Sequence, residues 1–267
     1  AFYWPYLLGL SLTGLAYSVV SIALPFIVLD LRPSQPEAAV SATVLAGSLP
    51  LFFGAVLGRV ADRTAPRVLL SLAPLLRAAL VALVGWLTLR GDVTLPILLV
   101  LALFNGLLSG LSVAAESALL PRLVPASQLP QANSLQSAGL MGAPLIGYGV
   151  GGALVHAVGP GQTLLLTAPL VTSLALAAAF LPRLPAAATE RSSLLLDLRA
   201  GAAVLLRSPF LLGILGAGFL LNAAMNLMNV RSPLFMQRAG RGAADYAAFE
   251  MLISGGVLLG ILLVTPL

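Results

Sequence analysis

Long apolar runs broken by short polar connectors make up nearly the whole chain, and within them the apolar residues are continuous rather than alternating with period two. A helix that crosses a bilayer needs about 20 such residues. Runs of that length fall at Trp4–Leu29, Ala39–Gly58, Val68–Leu89, Leu95–Leu120, Ala132–Val158, Gln162–Leu181, Phe210–Met228 and Tyr246–Leu267. The pattern predicts an all-α polytopic membrane protein with about eight transmembrane helices. A β-barrel would alternate lipid-facing and lumen-facing residues, and is excluded. Pro25, Pro50, Pro74, Pro144 and Pro169 lie inside the runs, where neighbouring helices can satisfy the carbonyls they free.

Composition sharpens this picture. Of 267 residues 59% are hydrophobic and 9% charged, and mean hydropathy is +1.03. A soluble domain carries about 25% charged residues, so this chain lacks the polar surface to cover a body in water. All 14 basic residues are arginine, against nine acidic ones. Without lysine there is no P-loop phosphate chemistry. Cysteine is absent and His156 is the single histidine, so neither a thiolate nor a histidine cluster is available for a metal, and no cofactor is expected. A membrane enzyme would need a nucleophile–base pair or a metal cluster, and a channel would want charged rings or a carbonyl filter. Neither pattern is visible, which favours a transporter and disfavours an enzyme.

The arginines sit in the connectors, where they bear on orientation rather than on nucleic acid. Arg59, Arg63 and Arg67 follow the second run, Arg122 the fourth, and Arg183, Arg191, Arg199 and Arg207 the sixth; the first, third and fifth connectors hold only Arg32 and Arg90. The positive-inside bias places the even connectors and the N-terminus in the cytoplasm. Arg231, Arg238 and Arg241 in and near the seventh connector run against the trend. Phe2-Tyr3-Trp4-Pro5-Tyr6 reads as an interfacial aromatic belt, and both ends of the chain read as cut inside a longer protein. Six runs (1–182), a charged cytoplasmic linker (183–208) with an amphipathic stretch from Leu194 to Leu206, and two further runs (209–267) match a transporter of two six-helix halves. On that reading about eight of 12 helices are present.

Between the second and third runs stands Gly58-Arg59-Val60-Ala61-Asp62-Arg63-Thr64-Ala65-Pro66-Arg67. It resembles the cytoplasmic signature of the major facilitator superfamily, with Ala65 or Pro66 replacing the usual turn glycine. The resemblance implies a cytoplasmic gate motif in which Gly58 permits close helix approach, Asp62 acts as a latch, and Arg63 and Arg67 lie at the membrane surface. Gly142, Pro144, Gly147, Gly151 and Gly152 crowd the fifth run, much like the glycine-proline motif of the superfamily's drug antiporters, and small residues there let helices pack closely. Ser117-Ala118-Leu119-Leu120-Pro121-Arg122-Leu123-Val124-Pro125, then Ala132-Asn133-Ser134-Leu135, resembles the branch of macrolide-efflux proteins and enterobactin exporters. That branch implies a monomeric proton antiporter in the bacterial cytoplasmic (inner) membrane, moving small amphipathic substrates across the lipid bilayer. A lipid or solute transporter of other direction or coupling, or a non-transporting receptor, is the alternative.

In this superfamily the first and fourth helices of each half line the central cavity. Polar stripes fall where that arrangement asks for them. Thr13, Tyr17 and Ser21 repeat at spacings of four on the first run, with Tyr6 near its start; Asn105, Ser109, Ser112 and Glu116 share one face of the fourth; Asn222, Met225, Asn226 and Asn229 mark the seventh. Together they predict a mixed polar, aromatic and thioether pocket. Glu116 is the proton-coupling candidate and Arg77, midway along the third run, is the buried charge, since ionisable groups inside spans mark substrate and proton paths.

Overall fold

The computed structural model describes residues 3–182, 199 and 203–264. Residues 183–198 and 200–202, most of the linker and of its amphipathic stretch, lie outside them. Among the described residues the chain is helical throughout. Helix α1 (Tyr3–Asp30) is followed by α2 (Pro36–Ser48), a 3-10 turn at Leu49–Phe53, and α3 (Gly54–Arg63). Helices α4 (Pro66–Arg90) and α5 (Leu95–Leu123) come next, then α6 (Leu129–Val158), α7 (Pro160–Val171), α8 (Ser173–Ala179), α9 (Pro209–Arg238) and α10 (Ala243–Val264).

Among the described residues seven helical segments are long and apolar enough to cross a membrane. The other expected span is broken. Pro50 has no N–H to give its helix, and the ladder tightens into a 3-10 turn between α2 and α3. The sixth span bends likewise where Thr172 leaves the helix and donates to the Pro169 carbonyl at 2.6 Å. The seventh extends to Arg238, past the expected end at Met228, which places Arg231 within α9. Sequence punctuation sets several ends: Ser208 caps α9 by accepting from the Leu211 N–H at 3.3 Å, and Gly91 closes α4 with φ 75°, a left-handed conformation suited to glycine.

Helix α1 is the hub. It packs on α6 to one side and on α7 and α8 to the other, while α4 lies between α5 and α7, and α2 and α3 run along α5. Helix α10 packs on α6; α9 reaches α2 and α10 chiefly through its C-terminal end, where Pro233 and Leu234 are buried. Without a hydrophobic drive between helices in lipid, close packing of small residues has to hold them. A side chain on Gly85 would meet the Gly161 carbonyl at 2.8 Å, and one on Gly9 the Ser173 carbonyl at 2.9 Å. Gly106 presses on the Gly47 carbonyl in the same way.

Two apolar clusters fill the bundle. One, around Ile22, Ile27, Val40, Leu98 and Leu164, lies toward the ends of α1 and α4; the other, around Tyr6, Leu70, Leu119 and Leu174, toward their starts. Between them only Ala16, Ala78 and Val171 form a small apolar contact, with Tyr17 against it. Arg77, next to Ala78, lies at that middle level.

Candidate functional site

Midway along three helices, one cation is enclosed. Arg77 of α4 is 7% exposed, and its guanidinium stacks 3.6 Å from the centre of the Tyr17 ring on α1. Its Nε–H donates to Asn105 Oδ1 on α5 at 3.1 Å. Glu116, three turns farther along α5, lies within electrostatic range of Arg77, Tyr17 and Tyr6 without a direct ion pair to Arg77. The Tyr17 hydroxyl and Ser112 Oγ are buried and make no hydrogen bond among the described residues. Unpaired buried hydroxyls cost free energy, so this cluster is held by its neighbours rather than relaxed on its own account. Charge, aromatic face and amide thus meet at the level where the apolar packing thins, with the acid farther along α5.

Beside Asn105 opens a cavity of about 270 Å³ between α1, α2, α4 and α5, apolar along most of its wall, with Thr43 and Ser48 as its other polar groups. At the start of α4, Arg67 donates to the Ala179 carbonyl at 2.8 Å and so satisfies the last turn of α8. That bond ties the cytoplasmic signature to the sixth span.

A family model described as the Major Facilitator Superfamily matches residues 6–267. The chain belongs to that superfamily. It is also 32% identical over 182 residues to an uncharacterised MFS-type transporter, y4rN, of Sinorhizobium fredii (strain NBRC 101917 / NGR234), over 66% of this chain and 44% of the relative. The chain thus spans less than half the length of that relative. It is a multi-pass membrane protein of a transporter family.

Within this facilitator the stripes read from sequence do not all converge. Tyr17 and Asn105 touch Arg77 and Glu116 lies within its electrostatic range, while Ser112 is buried and Ser109 half-buried on the same helix as Asn105. Tyr6 is fully buried toward the start of α1, its hydroxyl beside Gln136. Thr13 instead faces α8, where Oγ1 lies 3.0 Å from Ser173 Oγ and accepts from the Leu174 N–H. The seventh span meets the first through Asn229, which lines one cavity with Ser21, whereas Asn222, Met225 and Asn226 are exposed, because α9 packs near its C-terminal end. The two amides turn back onto their own helix, donating to the Gly218 and Asn222 carbonyls at 2.9 Å each.

The glycines also sort differently from expectation. Gly147 and Gly151 do face α1, and Gly152 faces Ala247 of α10, but nothing lies within 4 Å of a side chain placed on Gly142 or Gly58. In the signature region the close approach is made from α5, where Gly110 receives the Leu57 side chain. Pro144 sits half-buried within a continuous α6. Asp62 is half-buried on α3, and Arg63 is exposed in its last turn.

One buried acid escaped the sequence reading. Glu250 of α10 is 8% exposed and lines a cavity of about 190 Å³ with Ser21, Tyr148, Asn229 and Tyr246. A carboxylate in an apolar run was the available signal, yet its aromatic neighbours come from different helices. Arg238 and Arg241 have partners as well: Arg238 donates to Glu37 at 2.9 Å, and Arg241 to Asp245 at 3.1 Å.

Proposed function

We propose that this chain is part of a secondary active transporter that exports small amphipathic molecules against a proton gradient by alternating access. It would work as a monomer, with its N-terminus on the cytoplasmic side of a bacterial inner membrane. The supporting observation is the Tyr17–Arg77–Asn105 cluster with Glu116 in reach. Ionisable groups at this depth are costly unless they serve a path, and the four belong to three helices of the half that alternating access would rock against the other. Glu116 is the proton carrier in this reading: neutral, it leaves Arg77 to Tyr17 and Asn105, and charged, it draws the guanidinium along α5. The chain's likeness to the macrolide-efflux and enterobactin-exporter branch supports the outward direction. Gly58, Asp62, Arg63 and Arg67 serve as the cytoplasmic gate, with the Arg67–Ala179 bond as one of its closures.

Efflux of dyes and drugs by inverted vesicles carrying the intact protein, with and without an imposed pH gradient, tests this. Gradient-driven movement is expected from the native protein and not from Glu116→Gln, while substrate binding survives. Movement that persists unchanged in Glu116→Gln overturns the assignment of the carrier. No gradient-dependent movement of any amphipathic compound overturns the export reading.

A further inference from the structure

We infer that the cavity at Glu250 is a binding site for the ammonium group of an amphipathic amine, whose tail extends into the larger apolar cavity beside Asn105. The inference rests on the transporter reading for its purpose, but on its own geometry for its chemistry.

Glu250 brings a buried carboxylate to a place where five helices meet. Tyr246 stands one turn before it on α10, Tyr148 faces it from α6, Ser21 from α1 and Asn229 from α9. Both phenols lie within electrostatic reach of the carboxylate, and Tyr148 also reaches Ser18 and Ser21. No basic side chain among the described residues pairs with Glu250, although Arg238 and Arg241 on the nearby outer surface pair with Glu37 and Asp245. The Tyr246 hydroxyl lies within hydrogen-bonding reach of the carboxylate but carries no charge; a buried charge without a counter-ion is costly, and a bound cation would supply one.

The walls select the kind of cation. Two tyrosine rings offer negative π-faces, the general means by which proteins hold alkylammonium groups. Leu24, Pro25 and Val44 close the remaining side with apolar surface. A hydrated metal ion would want several oxygen ligands, whereas this lining provides one carboxylate, an amide and hydroxyls amid carbon. Leu24 and Val44 also line the 270 Å³ cavity. The two spaces therefore adjoin across one pair of side chains, acidic and aromatic at one end, apolar beyond. At the far end Asn105 is bound to the cationic Arg77, so a positive head is favoured at Glu250 and disfavoured there.

The test is equilibrium binding of radiolabelled octyltrimethylammonium to the intact protein in nanodiscs, against the uncharged isostere with carbon in place of nitrogen. The native protein should prefer the charged ligand by about tenfold or more, as one strong buried contact would give. Glu250→Gln should abolish that preference, Glu250→Asp should keep part of it, and Glu37→Gln, at an exposed acid, should leave it whole. Tyr148→Leu should weaken binding several-fold where Tyr148→Phe does not. If Glu250→Gln fails to fold, the aspartate and Tyr148 variants decide alone. Equal binding of ligand and isostere, a preference that survives Glu250→Gln, or displacement by sodium as readily as by tetramethylammonium overturns the site. Binding is read without a gradient. Ammonium binding at Glu250 without flux would therefore keep the site and reject export, and flux without this binding would do the reverse.

Discussion

Arg77 has a rigid fork and a flat cationic face, and both are in use: one N–H meets Asn105 while the plane covers Tyr17. Lysine offers neither feature. Truncation of Arg77 to alanine should destabilise the protein by about 3 kcal/mol, as expected when a buried polar network loses its central charge, and Arg77→Lys should recover little of it. Tyr17→Phe keeps the ring and discards a hydroxyl that has no partner, so its effect should be small; Tyr17→Leu should forfeit about 2 kcal/mol of desolvated cation–π attraction. Thermal unfolding in detergent reads all four, and equal stability of the lysine and native proteins would contradict the stacking argument. The sequence marked Arg77 as a lone charge in an apolar run. It gave no sign that Tyr17 and Asn105 would be the groups around it, since those residues lie on other helices and spacing along one helix reports only that helix's own faces.

Among the elements, the α1–α6 crossing is the clearest case of contact that small residues permit. A side chain on Gly147 would meet the Leu15 carbonyl at 2.5 Å and Ser18 Cβ at 2.8 Å, and one on Gly151 would meet Val19 Cα at 3.0 Å. Overpacking of this kind costs about 1–3 kcal/mol. Gly147→Val should lower the unfolding temperature accordingly, while Gly142→Ala, whose added carbon would have nothing within 4 Å, should be neutral or gain up to about 1 kcal/mol from helix propensity. A loss at Gly142 as large as at Gly147 would sink this assignment. Glycine content alone drew attention to the whole stretch from Gly142 to Gly152. Which of those glycines touch anything depended on how α6 is rotated toward α1 and α10. Similarly, Pro50 in the second run could have been absorbed as a kink, and only the three-dimensional path shows a 3-10 turn.

At the scale of the whole molecule, orientation follows from arginine placement and is open to direct measurement, because the chain has no cysteine of its own. Single cysteines at Asp92 and Ser127 sit on exposed connectors at opposite ends of α5. On intact cells a membrane-impermeant maleimide should label Asp92→Cys and spare Ser127→Cys; the opposite result would invert the topology. The run lengths, the absence of lysine and cysteine, and the signature from Gly58 to Arg67 were enough to determine a polytopic helical protein and its superfamily, since a bilayer imposes span length and internal hydrogen bonding on any sequence that crosses it. The sites were another matter. That Thr13 would turn to Ser173, that Asn222 and Asn226 would lie exposed, and that Glu250 would find Tyr148 and Ser21 were settled only by tertiary structure. Hydropathy constrains which residues leave water, but lipid is as apolar as a helix interior, so it does not say which face of a span meets which neighbour.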